Sequence, residues 1–129
     1  VPTVLTMAGA VVPEAMPGRS LQALAAGGDA EWRDDVYIQI SESEVGRALR
    51  TDRWKYGVRA PEADPRGDAV ARAYIEAYLY DLKADPWERD NLVRDPATAE
   101  TRAELRARLA RRIGEVDGVE ATIEPAPEG

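Results

Sequence analysis

An alternation of apolar and polar residues begins at Val36. Val36, Ile38 and Ile40 share one side of the segment, and Tyr37 and Gln39 share the other. A period of two over this length predicts a half-buried strand.

A β-hairpin is predicted directly after it. Residues 46–51 and 54–59 are two short strand-like segments separated by two residues, a spacing typical of a tight turn. In the second segment Trp54, Tyr56 and Val58 share one face. We expect that face to pack against the rest of the fold.

A fourth strand is predicted over residues 74–82, after a polar loop at 60–69 that is rich in Pro, Gly and Asp. A helix over 69–78 is the alternative. The density of Tyr and Ile favours a strand with aromatic and aliphatic residues on alternating faces.

One long helix is predicted over residues 96–115, opened by Asp95 and Pro96. Its apolar stripe consists of Leu105, Leu109, Ile113 and Val116.

The residues after this helix, 118–129, have the composition of a flexible tail. The first 34 residues contain only short helical patterns, at 1–9 and 21–26, so that we expect a connecting segment at 1–34 and the main folded segment at 35–117.

A capping box is predicted in the turn before the long helix. Asp85 would accept from first-turn amides, Pro86 stands where no amide is needed, and Glu88 would reach back three residues. Asn91 is expected to end this turn in a left-handed conformation.

The charge and composition exclude several classes of function. The net charge of −7 argues against nucleic-acid binding, and no apolar run is long enough to span a membrane. The chain has no Cys and no His, which excludes a thiol nucleophile, a serine triad and a Cys/His zinc site within it. The carboxylates show no metal-ligand pattern. The sequence does not indicate a cellular compartment.

Five basic residues lie within thirteen positions on the predicted hairpin of this acidic chain. They are Arg47, Arg50, Arg53, Lys55 and Arg59. The cluster suits an anionic ligand. The alternative, which we favour, is that these side chains cover the solvent face and the edge of the hairpin. We likewise expect the tyrosines and tryptophans between positions 37 and 87 to pack the sheet against the helix rather than to bind sugars or bases.

Four sequence motifs follow one another along the chain. Residues 1–10 resemble P-T-x-L-x-L-A-G at a helix end, and residues 17–24 resemble a G-x-S-L-x-P-L loop, with Ala23 in place of the proline. Residues 47–56 resemble R-x-x-R-T-x-x-[YW]-K-Y, and residues 79–92 fit L-Y-D-L-x-x-D-P-x-E-x-x-N-L. Taken in order, the four motifs resemble the C-terminal portion of the sulfatases, the arylsulfatase-like branch of the alkaline phosphatase superfamily.

The resemblance implies an α+β fold, a small antiparallel sheet of about four strands packed against a long C-terminal helix, as a fragment of a larger α/β sulfatase-like fold. It implies a formylglycine nucleophile and a calcium ion for the full-length protein, both in a missing N-terminal catalytic domain. We therefore expect no catalytic residue and no metal ligand in this chain. Arg50, Lys55 and the loop at 60–69 are the places where substrate contact is conceivable. The remaining motif residues are expected to be structural: Tyr80, Asp81, Asp85, Pro86, Glu88, Asn91 and Leu92.

The function implied is a C-terminal subdomain of a hydrolase that cleaves sulfate esters. Two alternatives stay open: a phosphodiester or phosphonate ester hydrolase of the same superfamily, and a free-standing anion-binding or structural module. The partner we expect is the missing N-terminal catalytic domain, with no nucleic acid and no membrane. We also expect an exposed apolar patch, formed partly around Val4 and Leu5, through which the chain could oligomerise.

Overall fold

The computed structural model of the protein describes residues 1–16, 18–27 and 32–127. The chain divides into two compact units, Val1–Arg33 and Asp34–Gly129. No helix within the described residues has both the length and the apolar character needed to cross a membrane.

The described residues of the first unit form two short helices, α1 at Pro2–Met7 and α2 at Gln22–Ala25. Pro2 occupies the first helical position, where its missing amide costs nothing, and Gly9 has a left-handed φ of 70° just beyond the helix end. Val4 is 68% exposed, as the sequence predicts, whereas Leu5 is half-buried.

The second unit is built on one five-stranded sheet whose order follows the sequence. Its strands are β1 Val36–Ile40, β2 Gly46–Arg50, β3 Trp54–Arg59, β4 Ala73–Asp81 and β5 Thr122–Glu124. The first four pair antiparallel and β5 runs parallel to β4. The predicted α+β class is confirmed, and the strand reading of residues 74–82 prevails over the helix alternative.

The fifth strand was not predicted. It lies in the segment that the sequence indicates to be a tail, and it is only three residues long, too short for an alternation to be visible. Backbone pairing with β4 holds it, and Ala126 beyond it donates its amide to the buried Glu76. The expectation of about four strands is corrected to five.

The long helix α3 spans Ala99–Asp117, after a 3₁₀ turn at Pro96–Thr98. Leu105, Leu109 and Ile113 are buried against the sheet as predicted. Val116 is 52% exposed, so its place in the apolar stripe was wrong. In this last turn it is the neighbouring Asp117 that contacts the sheet, through Arg47.

A β-bulge in β4 decides which side chains face the helix. Tyr78 pairs with Gly57, but the next pair along the ladder is Glu76 with Val58, which leaves Ala77 as the extra residue. Tyr74 and Glu76 therefore share the buried side with Leu79, although strict alternation would separate them. The predicted alternating faces of this strand are corrected accordingly.

The sheet consequently has one covered and one open face. The core lies on the covered face, between the sheet and α3, and it is formed around Leu49, Tyr56, Leu79, Leu109 and Ile113. On the open face lie three cross-strand rows. They are Val36, Arg50, Lys55 and Tyr80; Ile38, Ala48, Gly57 and Tyr78; and Ile40, Gly46, Arg59 and Ile75.

Candidate functional site

The two predicted substrate-contact residues lie side by side on the open face. Arg50 of β2 is directly opposite Lys55 of β3, and Lys55 is in turn opposite Tyr80 of β4. Directly opposed residues of an antiparallel pair have their side chains on the same face, about 5 Å apart at Cβ. The sheet register thus brings Arg50 and Lys55 together at one end of the open face.

The two cations differ in how they are held. Lys55 Nζ donates to Glu88 Oε2 at 2.5 Å and lies 6.0 Å from the centre of the Tyr80 ring. Arg50 is exposed and makes no ion pair with any residue that the structure describes. An anion arriving at this end of the face would therefore meet a free guanidinium beside a neutralised ammonium.

Arg47 does not belong to this surface, which corrects its placement in the basic cluster. Its side chain is fully buried on the covered face and donates through Nε to Asp117 at 2.7 Å. Its remaining guanidinium nitrogens donate to backbone carbonyls, including that of Ala69. Burial opposes its charge, but the hydrogen bond to Asp117 prevails and raises the pKa of Arg47.

Arg53 is also held in an ion pair. It forms a forked pair with the carboxylate of Asp81, the closest contact being 2.8 Å from Nη2 to Oδ2. The Arg53 hydrogen bonds hold the pKa of Asp81 below its ordinary value, and the amides of Lys83 and Ala84 add to the effect. The hairpin therefore presents far less free positive charge than its composition indicates. The expectation that its five cations cover the solvent face and the edge of the hairpin is wrong for Arg47.

The predicted capping box at 85–88 is wrong in its partners. Glu88 pairs with Lys55 instead of reaching back to Asp85, and its backbone has a left-handed φ of 54°. Asp85 Oδ2 accepts from the amides of Arg89 and Asp90, at 2.5 and 2.9 Å, and so closes a loop rather than starting a helix. No helical segment follows Pro86 directly.

Asn91 was expected in a left-handed conformation, but its φ is −77° and its ψ is 108°. Its side chain instead ties the loop to the bulged strand. Oδ1 accepts from the amides of Leu79 and Val93, and Nδ2 donates to the carbonyl of Ala77, the extra residue of the bulge. Leu92 follows it, half-buried against the core.

A buried carboxylate on the covered face was missed by the sequence analysis. Glu76 is 2% exposed and accepts hydrogen bonds from Tyr56 at 3.0 Å, from Arg106 at 2.7 Å and from Arg102 at 3.2 Å. Burial alone would raise the pKa of Glu76, but the hydrogen bonds from Arg106 and Tyr56 outweigh it and lower the pKa. The two arginines four residues apart in the helical pattern were the available signal.

The aromatic residues divide between the two faces. Tyr37, Trp54, Tyr56 and Tyr74 pack in or against the core as expected. Tyr78 and Tyr80 lie on the opposite, open face, stacked with ring centres 6.4 Å apart, and Trp87 is 78% exposed. For these last three residues the expectation of packing against the helix was wrong.

A groove of about 370 Å³ runs along the open face. Its walls are Ile38 and Ile40 on one side and the stacked Tyr78 and Tyr80 on the other, with the Lys55–Glu88 pair at one end. Its floor is formed by Ala48 and Gly57, the smallest side chains in the middle row. A β-carbon at Gly57 would lie 3.1 Å from the Tyr78 ring, so a larger residue there would require the ring to shift by a few tenths of an ångström.

The sequence contains no formylglycine motif, and the residues that the structure describes do not fit a calcium site. Formylglycine is formed from Cys or Ser within C/S-x-P-x-R; the chain has no Cys, and none of its serines stands in that motif. Within residues 1–16, 18–27 and 32–127 no three metal-binding side chains come together.

Solved structures show the same fold in sulfatases. One is BT4656, solved in complex with its substrate D-glucosamine-2-N,6-O-disulfate. It is 27% identical, with a TM-score of 0.71, and the match covers 91% of this chain and 23% of that one. The class defined by the fold and the ordered motifs is therefore the C-terminal portion of a sulfatase.

The family follows from sequence. The family model described as N-sulphoglucosamine sulphohydrolase, C-terminal, matches residues 1–115, and the chain belongs to this family. A Δ4,5-hexuronate-2-O-sulfatase of Bacteroides thetaiotaomicron is 33% identical over 84% of this chain and 21% of its own length. The multifunctional alkaline phosphatase superfamily protein PehA of Trinickia caryophylli is 28% identical over 99% and 26%. The chain spans about a quarter of the length of the curated relatives it matches.

Proposed function

We propose that this chain is the C-terminal subdomain of a hydrolase that cleaves sulfate esters, and that the catalytic groups belong to the remainder of the full-length protein. The observation that carries the proposal is the family match over residues 1–115, together with relatives that are about four times as long. The formylglycine and the calcium ion implied by the family would then lie outside residues 1–129. The chain's own part is to pack, and to shape one side of the substrate cleft.

Arg50 is the side chain that we propose for substrate contact, with Lys55 as its neighbour. Arg50 is exposed and free of ion pairs among the described residues, and a guanidinium binds the oxygens of a sulfate in a forked geometry. Lys55 is held by Glu88 and has less charge to offer. Its role in this proposal is to neutralise the Glu88 carboxylate, which would otherwise repel an anion beside Arg50.

The L-Y-D-L-x-x-D-P-x-E-x-x-N-L segment has a structural role in this proposal. Asp81 fixes Arg53, Asp85 closes the loop after Pro86, and Asn91 satisfies the backbone of the bulge. Tyr80 forms a wall of the groove, Glu88 orients Lys55, and Leu92 packs against the core. These contacts support a motif that shapes a surface without taking part in bond cleavage.

A phosphodiester hydrolase is the second candidate, and the similarity to PehA over 99% of the chain favours keeping it. The full-length protein separates the two when sulfate release from an aryl sulfate is compared with 4-nitrophenol release from bis(4-nitrophenyl) phosphate. A larger kcat/KM on the sulfate is expected. A larger value on the phosphodiester would replace the first candidate with the second.

A further inference from the structure

Trp87 differs from the other two tryptophans of the chain in its surroundings. Each of those two has an arginine guanidinium over its ring, 5.9 Å from the ring centre at Trp32 and 4.7 Å at Trp54. Trp87 is 78% exposed, and within the described residues its indole makes no hydrogen bond, ring contact or cation–π contact. A single exposed apolar residue is common on a protein surface, so that the role of Trp87 depends on how it is held and on what lies beside it.

The backbone on both sides of Trp87 is fixed. Pro86 before it has a restricted φ, and Glu88 after it has a left-handed φ of 54° and an ion pair with Lys55. The amide of Glu88 donates to the carbonyl of Asp85 at 3.2 Å, and the next two amides donate to the Asp85 carboxylate. The indole therefore stands on a loop with little conformational freedom. A surface that is ordered before it binds a ligand loses little entropy on binding.

This loop belongs to the same end of the sheet as Arg50. Glu88, the next residue after Trp87, is bonded to Lys55, and Lys55 lies directly opposite Arg50. The two opposed side chains are about 5 Å apart at Cβ. The exposed guanidinium and the exposed indole are thus connected through the Lys55–Glu88 pair and one peptide unit. A ligand that spans them meets a cation on one side and an aromatic face on the other.

We propose that Trp87 stacks on the ring of a sulfated saccharide whose sulfate oxygens are bound by Arg50, an inference that rests on the proposed function. The negative face of an indole attracts the C–H groups on the flat side of a pyranose ring. The hydroxyl groups at the edge of that ring need polar partners, and Arg89 and Asp90, which follow in the loop, are both exposed. An aryl sulfate could use the same indole face, but it has no hydroxyl groups for these side chains to bind.

Titration calorimetry on the full-length protein tests the sugar-binding position with a panel of sulfated monosaccharides. Methyl sulfate, which has no ring, and 4-nitrophenyl sulfate, which has an aryl ring, are the comparison ligands. Trp87→Ala removes the stacking surface, whereas Trp87→Phe keeps an aromatic face. Val116→Ala is the control, because Val116 is an exposed apolar residue on α3, away from this loop in sequence. Hydrolysis appears in the same titration as a continuing heat, separate from the heat of binding.

Trp87→Ala should raise the dissociation constant of the saccharide that binds the wild type most tightly by about tenfold, and that of methyl sulfate by less than about twofold. Trp87→Phe should stay within about threefold of the wild type, because it still offers a ring for stacking. Val116→Ala should bind every ligand as the wild type does. The melting temperature of Trp87→Ala should be unchanged, since the indole makes no contact in the folded chain that the substitution would remove.

An unchanged dissociation constant for Trp87→Ala, or no binding of any saccharide by the wild type, would overturn the proposal. Equal losses for saccharide and methyl sulfate, with a lower melting temperature, would overturn it in favour of a packing role. A larger loss for 4-nitrophenyl sulfate than for the saccharide would overturn the saccharide as the ligand. Binding that is lost in Trp87→Ala without any continuing heat in the wild type would support the sugar-binding position and remove the proposed hydrolysis, so the two failures are distinguishable.

Discussion

Arg106 donates two hydrogen bonds to one carboxylate oxygen of Glu76, from Nη2 at 2.7 Å and from Nε at 3.0 Å. Arg102, one turn earlier on α3, donates to the other oxygen at 3.2 Å. The helix is therefore fixed over the sheet by charge as well as by its apolar stripe. Because the charge at the centre is buried, its loss is costly.

Glu76→Gln should lower the free energy of unfolding by about 3 kcal/mol, because it leaves two arginines beside a neutral amide in a buried setting. Urea unfolding at neutral pH measures the difference. Glu104→Gln is the matched control on the exposed side of α3, where a change within about 0.5 kcal/mol is expected. Equal effects at the two positions would show that the charge of Glu76 does not hold the helix.

The difference between Glu76→Gln and the wild type should shrink in acid. The pKa of Glu76 is lowered in the folded state, so its contribution is complete above the unfolded pKa of about 4.3 and is lost as the pH falls through the folded value. Unfolding curves at pH 7, 4 and 3 measure this. Asp81 titrates in both proteins and cancels in the comparison. A difference that stays constant down to pH 3 would contradict the lowered pKa.

The left-handed backbone of Glu88 predicts an unusual order of variants. Glu88→Gly and Glu88→Ala both lose the contact with Lys55, but only glycine adopts a φ of 54° without strain. The glycine variant should therefore be more stable than the alanine variant by about 0.5–1 kcal/mol. At Glu104, within α3, the order should reverse, because glycine is the poorer helix former. The same order at both positions would remove the argument from strain.

Arg50→Ala in the full-length protein should lower kcat/KM about tenfold, or about 1.4 kcal/mol, mostly through a higher KM. The reason is that its free guanidinium is proposed to bind the substrate without touching the bond that breaks. Steady-state kinetics on a sulfated substrate measure the effect. Arg94→Ala is the control, since Arg94 is exposed and makes no ion pair with any described residue. An unchanged KM for Arg50→Ala would remove Arg50 from the cleft.

The strands β1 to β4 and the helix α3 were predictable because each carries a local signal. The period of two is visible in 36–40 and 54–59, and the spacing of Leu105, Leu109 and Ile113 marks the helix. β5 has no such signal. Its three residues form a strand only because the edge of β4 is available for pairing.

Which side chains of β4 lie on the covered face of the sheet was not predictable from the sequence pattern. The bulge at Ala77 depends on the register with β3 and on the side chain of Asn91, fourteen residues away.

The free positive charge of the hairpin was not predictable either. The sequence shows five cations on one hairpin, but whether each is free depends on carboxylates brought by folding, such as Asp117 from α3 for Arg47 and Glu88 for Lys55. Arg50 and Lys55 share one face because the short turn between β2 and β3 places them directly opposite each other.

The most direct test of the account compares the 129-residue chain with the full-length protein for sulfate release from an aryl sulfate and a panel of sulfated saccharides. The account predicts release by the full-length protein and none above the buffer rate by the chain alone. Release by the chain alone, or an inactive full-length protein across the whole panel, would contradict it.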